Sequence, residues 1–294
     1  MSGLDALRDL VGRHARNRHG PTAIEGLTVT ATDAPTAPRA GIAEPAMGLA
    51  IQGAKRTVSG DRVLDYAAGE FLITQLDLPV TGQVTAASPE RPILGIGVRI
   101  EPAEIAAMLL DAAGTPARPP GIAVASADQP LLAALAHLAG LLDTPQDARV
   151  LAPLYRREVL WRLLTGPQAA VVRQIGLADG NLAPITRAVR WIRDHHDDAI
   201  RITQLAALAG MSESTFHRHF RAVTRMTPIQ YQKAVRLQQA RLALVSGGRD
   251  VAEVAHAVGY DSASQFSREY RRHFGTPPGR DAQRIRAAGG VPVS

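Results

Sequence analysis

Two stretches in the last third of the chain repeat one pattern, and that pattern leaves room for little besides paired helices. The first reads Leu205-Ala206-Ala207-Leu208-Ala209-Gly210-Met211, then Ser212-Glu213-Ser214-Thr215-Phe216-His217-Arg218-His219-Phe220. The second reads Val254-Ala255-His256-Ala257-Val258-Gly259-Tyr260, then Asp261-Ser262-Ala263-Ser264-Gln265-Phe266-Ser267-Arg268-Glu269-Tyr270. Ala206 aligns with Ala255, Gly210 with Gly259, Phe216 with Phe266, Arg218 with Arg268 and Phe220 with Tyr270, and the second copy carries one extra residue after its glycine. A small residue four before the turn lets two helices cross closely, and glycine supplies the positive φ of a tight interhelical turn. Phe216 and Phe220, like Phe266 and Tyr270, stand at i and i+4, so one face of each second helix turns inward. His217, Arg218 and His219 are left at or near the outward face of one helix, and Ser264, Gln265, Ser267 and Arg268 on the other. Short helices that expose Arg, Gln, Ser and His together can read base edges in a major groove. An ordinary helical hairpin with a solvated polar face would need no such repeat.

Charge supports the same reading independently. Residues 181–294 hold 17 Lys and Arg against 9 Asp and Glu, whereas the other 180 residues hold 16 against 18. The net charge of +6 therefore arises wholly from the C-terminal segment, where phosphate contacts would be needed. Nearly all of that excess is arginine, which suits bidentate contacts to phosphate and guanine.

The preceding residues have another rhythm. Short strands are expected at 27–31, 47–52, 55–58, 62–66, 71–74, 80–85 and 92–100, with Ser59-Gly60-Asp61 forming a tight hairpin turn and Gly69 another. Strands at this spacing suggest a small barrel or jelly roll. The period then lengthens, and helices are expected at 103–110, 130–142 and 151–164. Glycines and polar breakers between Gly176 and Asn181 mark a boundary. The expected organisation is α+β: a regulatory domain over 1–176, a linker over 177–183 and an all-α domain over 184–294.

Several chemistries are disfavoured. The chain has no cysteine, so disulfides and thiolate zinc sites are excluded. No apolar run approaches a membrane span, and the first 18 residues lack the apolar core of a signal peptide; a cytoplasmic, bacterial protein with no membrane association is expected. Metal-dependent cupin enzymes need several imidazole ligands, yet no histidine lies between Pro21 and Pro130. No P-loop lysine or nucleophile motif appears. Asp77 and Glu70 read as turn residues, and His195-His196 as part of a solvated helix face. No enzymatic activity, metal or other cofactor is expected.

The residues also carry a resemblance. Residues 184–286 resemble the DNA-binding domain of AraC/XylS-type transcription regulators, most closely in Asp250-Val251-Ala252-Glu253-Val254-Ala255, Val258-Gly259-Tyr260, Gln265-Phe266-Ser267-Arg268 and Phe274-Gly275-Thr276-Pro277-Pro278. The resemblance implies two helix-turn-helix units joined by a long helix, here about 228–245 with Tyr231, Val235, Leu242 and Val245 at helical spacing, and recognition helices in successive major grooves. Two departures stand out. Arg225 replaces the glycine found at the equivalent Gly275, so it must be strained or held by a contact, and Ala263 stands where proline is common. The segments Gln52-Gly53-Ala54-Lys55-Arg56, Gly60-Asp61-Arg62-Val63, Gly69-Glu70-Phe71 and Asp77-Leu78-Pro79-Val80-Thr81-Gly82-Gln83-Val84 are similar to the cupin-like N-terminal domain of one branch of that family.

The resemblance implies a transcription regulator, read here as an activator although the sequence does not separate activator from repressor, whose barrel binds a small effector, dimerises, or both. Its partners would be double-stranded DNA, a small-molecule effector, RNA polymerase and a second copy of the chain. A constitutive DNA binder whose barrel only dimerises is the alternative. Base contacts are expected from Ser214, His217, Arg218, Ser264, Gln265 and Arg268, and phosphate contacts from Arg221, Arg271 and Arg272. Gln52, Tyr66, Phe71 and Thr74 are the expected pocket residues, subject to a strand register that a one-residue slip would invert. With only Tyr66 and Phe71 as aromatics in the strand region, a small aliphatic or polar effector fits better than a large aromatic one.

Overall fold

The structure is a computed structural model that describes residues 3–15, 19–109, 121–177, 182–247 and 250–287. The centre of the expected linker, 178–181, and the last residue of the expected helix 103–110 lie outside the described residues. Among the described residues ten strands fill the first part: β1 (His19–Pro21), β2 (Leu27–Thr32), β3 (Arg39–Ala43), β4 (Ala46–Gln52), β5 (Ala54–Ser59), β6 (Arg62–Ala67), β7 (Glu70–Thr74), β8 (Leu78–Ala86), β9 (Ile93–Arg99) and β10 (Ile122–Ser126). They pair antiparallel in two sheets, ordered β1-β2-β9-β4-β7-β10 and β3-β8-β5-β6. The sheets face each other as an open sandwich of jelly-roll type and are not hydrogen-bonded into a closed barrel.

All seven expected strands are present. The turn between β5 and β6 is the two-residue Gly60-Asp61, with Gly60 at φ 59°. Of the three further strands, β1 and β3 give weak signals. β1 is three residues long, and β3 reads Arg-Ala-Gly-Ile-Ala, with a single β-branched residue.

Five helices belong to this part: α1 (Gly3–His14), α2 (Pro102–Leu109), α3 (Gln129–Gly140), α4 (Pro145–Thr165) and α5 (Ala169–Gly176). They cover the six-stranded sheet. Met47, Leu49, Phe71, Ile73, Ile96 and Val98 form one core with Leu7 and Val11 of α1, Leu135 of α3 and Leu160 of α4. Strand side chains alternate between faces, so the intervening Gly48, Ala50, Leu72, Thr74, Gly95 and Gly97 turn toward the second sheet.

The other helices of the described residues are α6 (Leu182–Asp194), α7 (Ile202–Leu208), α8 (Glu213–Thr224), α9 (Pro228–Ser246), α10 (Val251–Ala257), α11 (Ala263–Phe274) and α12 (Pro278–Ala287). α9 starts at a capping box in which the Thr227 hydroxyl accepts from the Gln230 N–H and the Gln230 side chain accepts from the Thr227 N–H. Its buried positions run nearly all round the helix, including Tyr231, Ala234, Val235, Leu237, Ala240 and Leu244. Of the four residues expected at helical spacing, Tyr231 and Val235 are fully buried, Val245 packs against a hydrophobic core and Leu242 is half-buried. A helix wrapped by two units and a sheet has no fully solvated side.

A second core contains Leu76, Leu78 and Ile122 from the sandwich together with Ile185, Leu205, Phe216, Phe220, Tyr231 and Val235 from the helices. A third holds Leu237, Leu244, Val254, Phe266 and Tyr270 and belongs to α9–α12 alone. The first helix-turn-helix unit thus shares its core with the sandwich, whereas the second does not. Among the described residues no helix is long and apolar enough to cross a membrane.

Candidate nucleic-acid interface

The two repeats fold as two helix-turn-helix units, α7–α8 and α10–α11. Gly210 and Gly259 take φ values of 65° and 83° in the two turns. At Gly259 space adds a second constraint, because a Cβ would lie 2.3 Å from the Asp197 carbonyl oxygen. The second helix of each unit opens on a serine cap. The Ser212 hydroxyl accepts from the Thr215 N–H, and the Ser262 hydroxyl accepts from the Gln265 N–H. The inward faces are aromatic: Phe216 and Phe220 lie 5.4 Å apart, as do Phe266 and Tyr270, and all four are fully buried.

Burying those faces leaves the opposite ones to solvent. Ser214, His217 and Arg218 on α8 are exposed, and so are Ser264, Gln265 and Arg268 on α11. The six expected base readers therefore form two sets on equivalent faces of two helices. Arg221, Arg271 and Arg272 are exposed as well. Arg221 and Arg272 line a groove of about 450 Å³ with Lys233, Glu269, Gly60 and Asp61, so they face the sandwich hairpin across a gap.

The spacing of α8 and α11 is set by side chains on α9 that the sequence did not mark. Arg236 donates to the carbonyls of His196, Asp197 and Asp198 before the first unit and to that of Gly259 in the second turn. One guanidinium fork thereby ties both units to the connecting helix. Lys233 Nζ lies 2.6 Å from Glu269 of α11, and Tyr260 donates to the same carboxylate. Burial works to raise the Glu269 pKa, but the hydrogen bonds from Lys233 and Tyr260 outweigh it and hold the carboxyl below its ordinary range. Farther along, Arg241 meets the fully buried Asp281 of α12 at 2.8 Å, and Arg284 and Tyr270 also donate to that carboxylate. Here too burial pushes the pKa up and the donors win, leaving Asp281 lowered. On a lone sequence an arginine in a helix reads as solvated, so Arg236 and Arg241 give no signal.

Several contacts tie the sandwich to this assembly. Asp77 was expected to be a turn residue, but it is buried between the two parts. Its carboxylate meets Arg193 of α6 at 2.5 Å, and its carbonyl accepts from the Tyr231 hydroxyl at 2.7 Å. Burial pushes the Asp77 carboxyl above its ordinary pKa in spite of Arg193. Arg241 and Gln238 reach the β3 backbone at Ala40. Finally, the β5–β6 hairpin rests on the end of α8. A Cβ on Gly60 would lie 2.7 Å from the Arg225 Cβ and 2.8 Å from its carbonyl oxygen. Arg225 caps α8 in the left-handed region at φ 60°, alone among the described non-glycine residues. The glycine missing from this position in the first repeat is thus met by both outcomes expected of it, local strain and a close contact.

The four expected pocket residues are not brought together. Tyr66 is buried, and its hydroxyl hydrogen-bonds with Thr57. Thr74 faces the second sheet but donates to the Glu44 and Ala46 carbonyls. Gln52 donates to the Pro92 carbonyl beside a β-bulge. Phe71 sits on the helix-covered face, in register with Leu49 and Ala125, so strand register turns it away from the sandwich interior. His195 stacks on Trp191 at 4.5 Å, and among the described residues no cluster of His, Asp and Glu could hold a metal ion.

Comparison with known proteins agrees with this geometry. The sequence pattern of the AraC-type transcriptional regulator N-terminus matches residues 23–171, and that of a helix-turn-helix domain matches residues 205–284. The transcriptional activator RhaS of Salmonella typhimurium is 28% identical over 163 residues, covering 53% of this chain and 57% of RhaS. The chain therefore spans little more than half the length of this curated relative. Among solved structures, an apo ToxT variant from Vibrio cholerae superposes with a TM-score of 0.59 over 90% of this chain and 99% of ToxT at 9% identity. ToxT bound to an unsaturated fatty acid superposes with a TM-score of 0.56 over 87% and 93% at 8% identity. At such identities the likeness is one of fold.

Proposed function

The chain belongs to the AraC-type family of transcription regulators, and on that premise we propose that it binds a specific duplex sequence through α8 and α11 and is controlled by a small effector held in the sandwich. The observation that carries the first part is the matched pair of serine-capped helices, each burying two aromatics and exposing a Ser, an Arg and one further polar reader. Arg218 and Arg268 stand one step into the second turn of their helices, where a guanidinium can reach a guanine edge. His217 and Gln265 flank them. Ser214 and Ser264, nearer the helix starts, suit either a base edge or a phosphate. Arg271, exposed in the last turn of α11, suits a phosphate, and Arg221 and Arg272 reach toward one from the groove beside the hairpin. The work is recognition, with no catalytic step.

Effector control is supported by the way the sandwich grips the first unit, and by the bound fatty acid in the ToxT fold neighbour. A ligand that changed the sandwich would act on α8 through the shared core and the Gly60–Arg225 contact. A second copy of the chain and RNA polymerase complete the proposal as protein partners.

The test is retention of genomic duplex fragments by the full chain, with and without a cell metabolite extract. A few fragments should be enriched over random DNA, and the extract should change their retention. Uniform retention of all fragments would contradict sequence-specific regulation. Enrichment indifferent to the extract would leave the DNA reading standing and remove effector control.

A further inference from the structure

Among the described residues the charged groups withdrawn from solvent are paired, with one exception. Asp281 has Arg241 and Arg284, and Asp77 has Arg193. Lys55 makes no hydrogen bond or ion pair among the described residues. It lies on β5 in register with Tyr66 of β6 and Val84 of β8, and its side chain crosses the sandwich to the opposite sheet. A Cβ placed on Gly95 would lie 3.6 Å from the Lys55 Nζ. Part of the residue stays exposed, but the ammonium sits deep enough that burial lowers its pKa. A cation partly withdrawn from water with no counter-charge beside it favours an anion that reaches it from outside.

The room for one lies at Gly48, since a Cβ on Gly95 would crowd the Leu49 carbonyl and one on Gly97 would meet the Thr28 hydroxyl. Opposite Lys55 the inward face of the six-stranded sheet is Gly95 and Ala50, continuing to Gly48 and Gly97. A Cβ on Gly48 would touch nothing within 4 Å. The ammonium is not sealed off either, since it is absent from the unpartnered atoms that solvent cannot reach. Hydroxyl groups line the same face: Thr28 and Thr30 pair with Gly97 and Gly95, and Tyr66 lies beside Lys55. The competing charges are engaged elsewhere. Arg62, at the other end of this face, donates to the Ile122 carbonyl, and Glu70 accepts from the Ala67 N–H.

We propose that the sandwich interior binds a small organic monocarboxylate, with its carboxylate on Lys55 and its polar groups against Tyr66, Thr28 and Thr30. This rests on the effector reading above and gives that effector its charge and class. One ammonium balances one negative charge. A phosphate dianion would leave a charge uncompensated, and it would favour the forked donors of arginine over a single lysine.

Thermal unfolding of the full chain tests the assignment with sodium acetate, butyrate and octanoate as probes. The controls are butyramide as neutral isostere, sodium phosphate, and sodium chloride at matched ionic strength. At least one carboxylate should raise the melting temperature with concentration by mass action, whereas butyramide, phosphate and chloride should not. Lys55→Met should weaken that response about tenfold or more without lowering the melting temperature of the free protein. Gly48→Val, which fills the open space, should block the response while leaving the fold intact. Equal responses to butyrate and butyramide, or an unchanged response in Lys55→Met, would overturn the carboxylate while leaving a neutral effector in place. If none of the probes and no cell metabolite extract shifts the melting temperature, the carboxylate and effector control both fall.

Discussion

Arg268 and Arg218 occupy the same step of α11 and α8, and both are exposed. If Arg268 reads a base, Arg268→Ala should cost about 1–3 kcal/mol on a specific site and little on random DNA. Arg271→Ala should weaken binding to both and reduce the salt slope by about one unit; the two effects exchanged would exchange the roles. A different residue, Asp281, bears on stability. Its side chain is fully buried and its pKa lies below the unfolded value. The unfolded state therefore binds the proton more readily, so the Asp281 contribution is complete above the unfolded carboxylate pKa and is lost as pH falls through the folded one. Asp281→Ala, which leaves Arg241 buried without its partner, should destabilise α9–α12 by about 3–5 kcal/mol at neutral pH. The difference from the parent should shrink in acid. A constant difference from neutral to acid pH, measured by denaturant titration, would mean that the carboxylate charge is not what matters.

α9 is the element on which the reading geometry depends, because it contributes to both helix-turn-helix cores and carries the Arg236 fork. Arg236→Ala frees the Gly259 turn from the loop at His196–Asp198. It should lower affinity for a full site far more than for a half-site carrying only one recognition sequence, with each unit still folded; equal losses on the two would place Arg236 outside the inter-unit coupling. The two units were legible in the sequence because turn glycines, serine caps and i,i+4 aromatics are local signals. The strands rich in Val, Ile, Thr and Phe were legible for the same reason. β3 and the three-residue β1 were not, since short edge segments with small residues carry little propensity. Phe71 shows the limit most clearly: its strand was located, but its face depends on register with β4 and β10, which no local pattern encodes. Arg236, Arg241 and Asp77 escaped because their partners lie tens of residues or more away in sequence.

At the scale of the whole molecule, the sandwich and the first helix-turn-helix unit share a core, while the second unit keeps its own. The Gly60 hairpin tip packs against the left-handed Arg225 where the two parts meet. Gly60→Ala places a Cβ against the Arg225 backbone at a positive φ, and should cost about 1–3 kcal/mol. The sandwich and first unit should unfold together in calorimetry, and this substitution should separate them into two transitions. A single unchanged transition would mean that the hairpin does not couple them. Control of DNA binding from the sandwich requires such coupling, but the most basic claim is that two equivalent helices read DNA side by side. Methylation interference on a duplex selected by the full chain measures this directly. Two windows of interference at guanine N7 should appear on one face of the duplex, about 10 base pairs apart as for readers in successive major grooves, and Arg268→Ala should erase one of them. A single window, or no selected sequence at all, would contradict it.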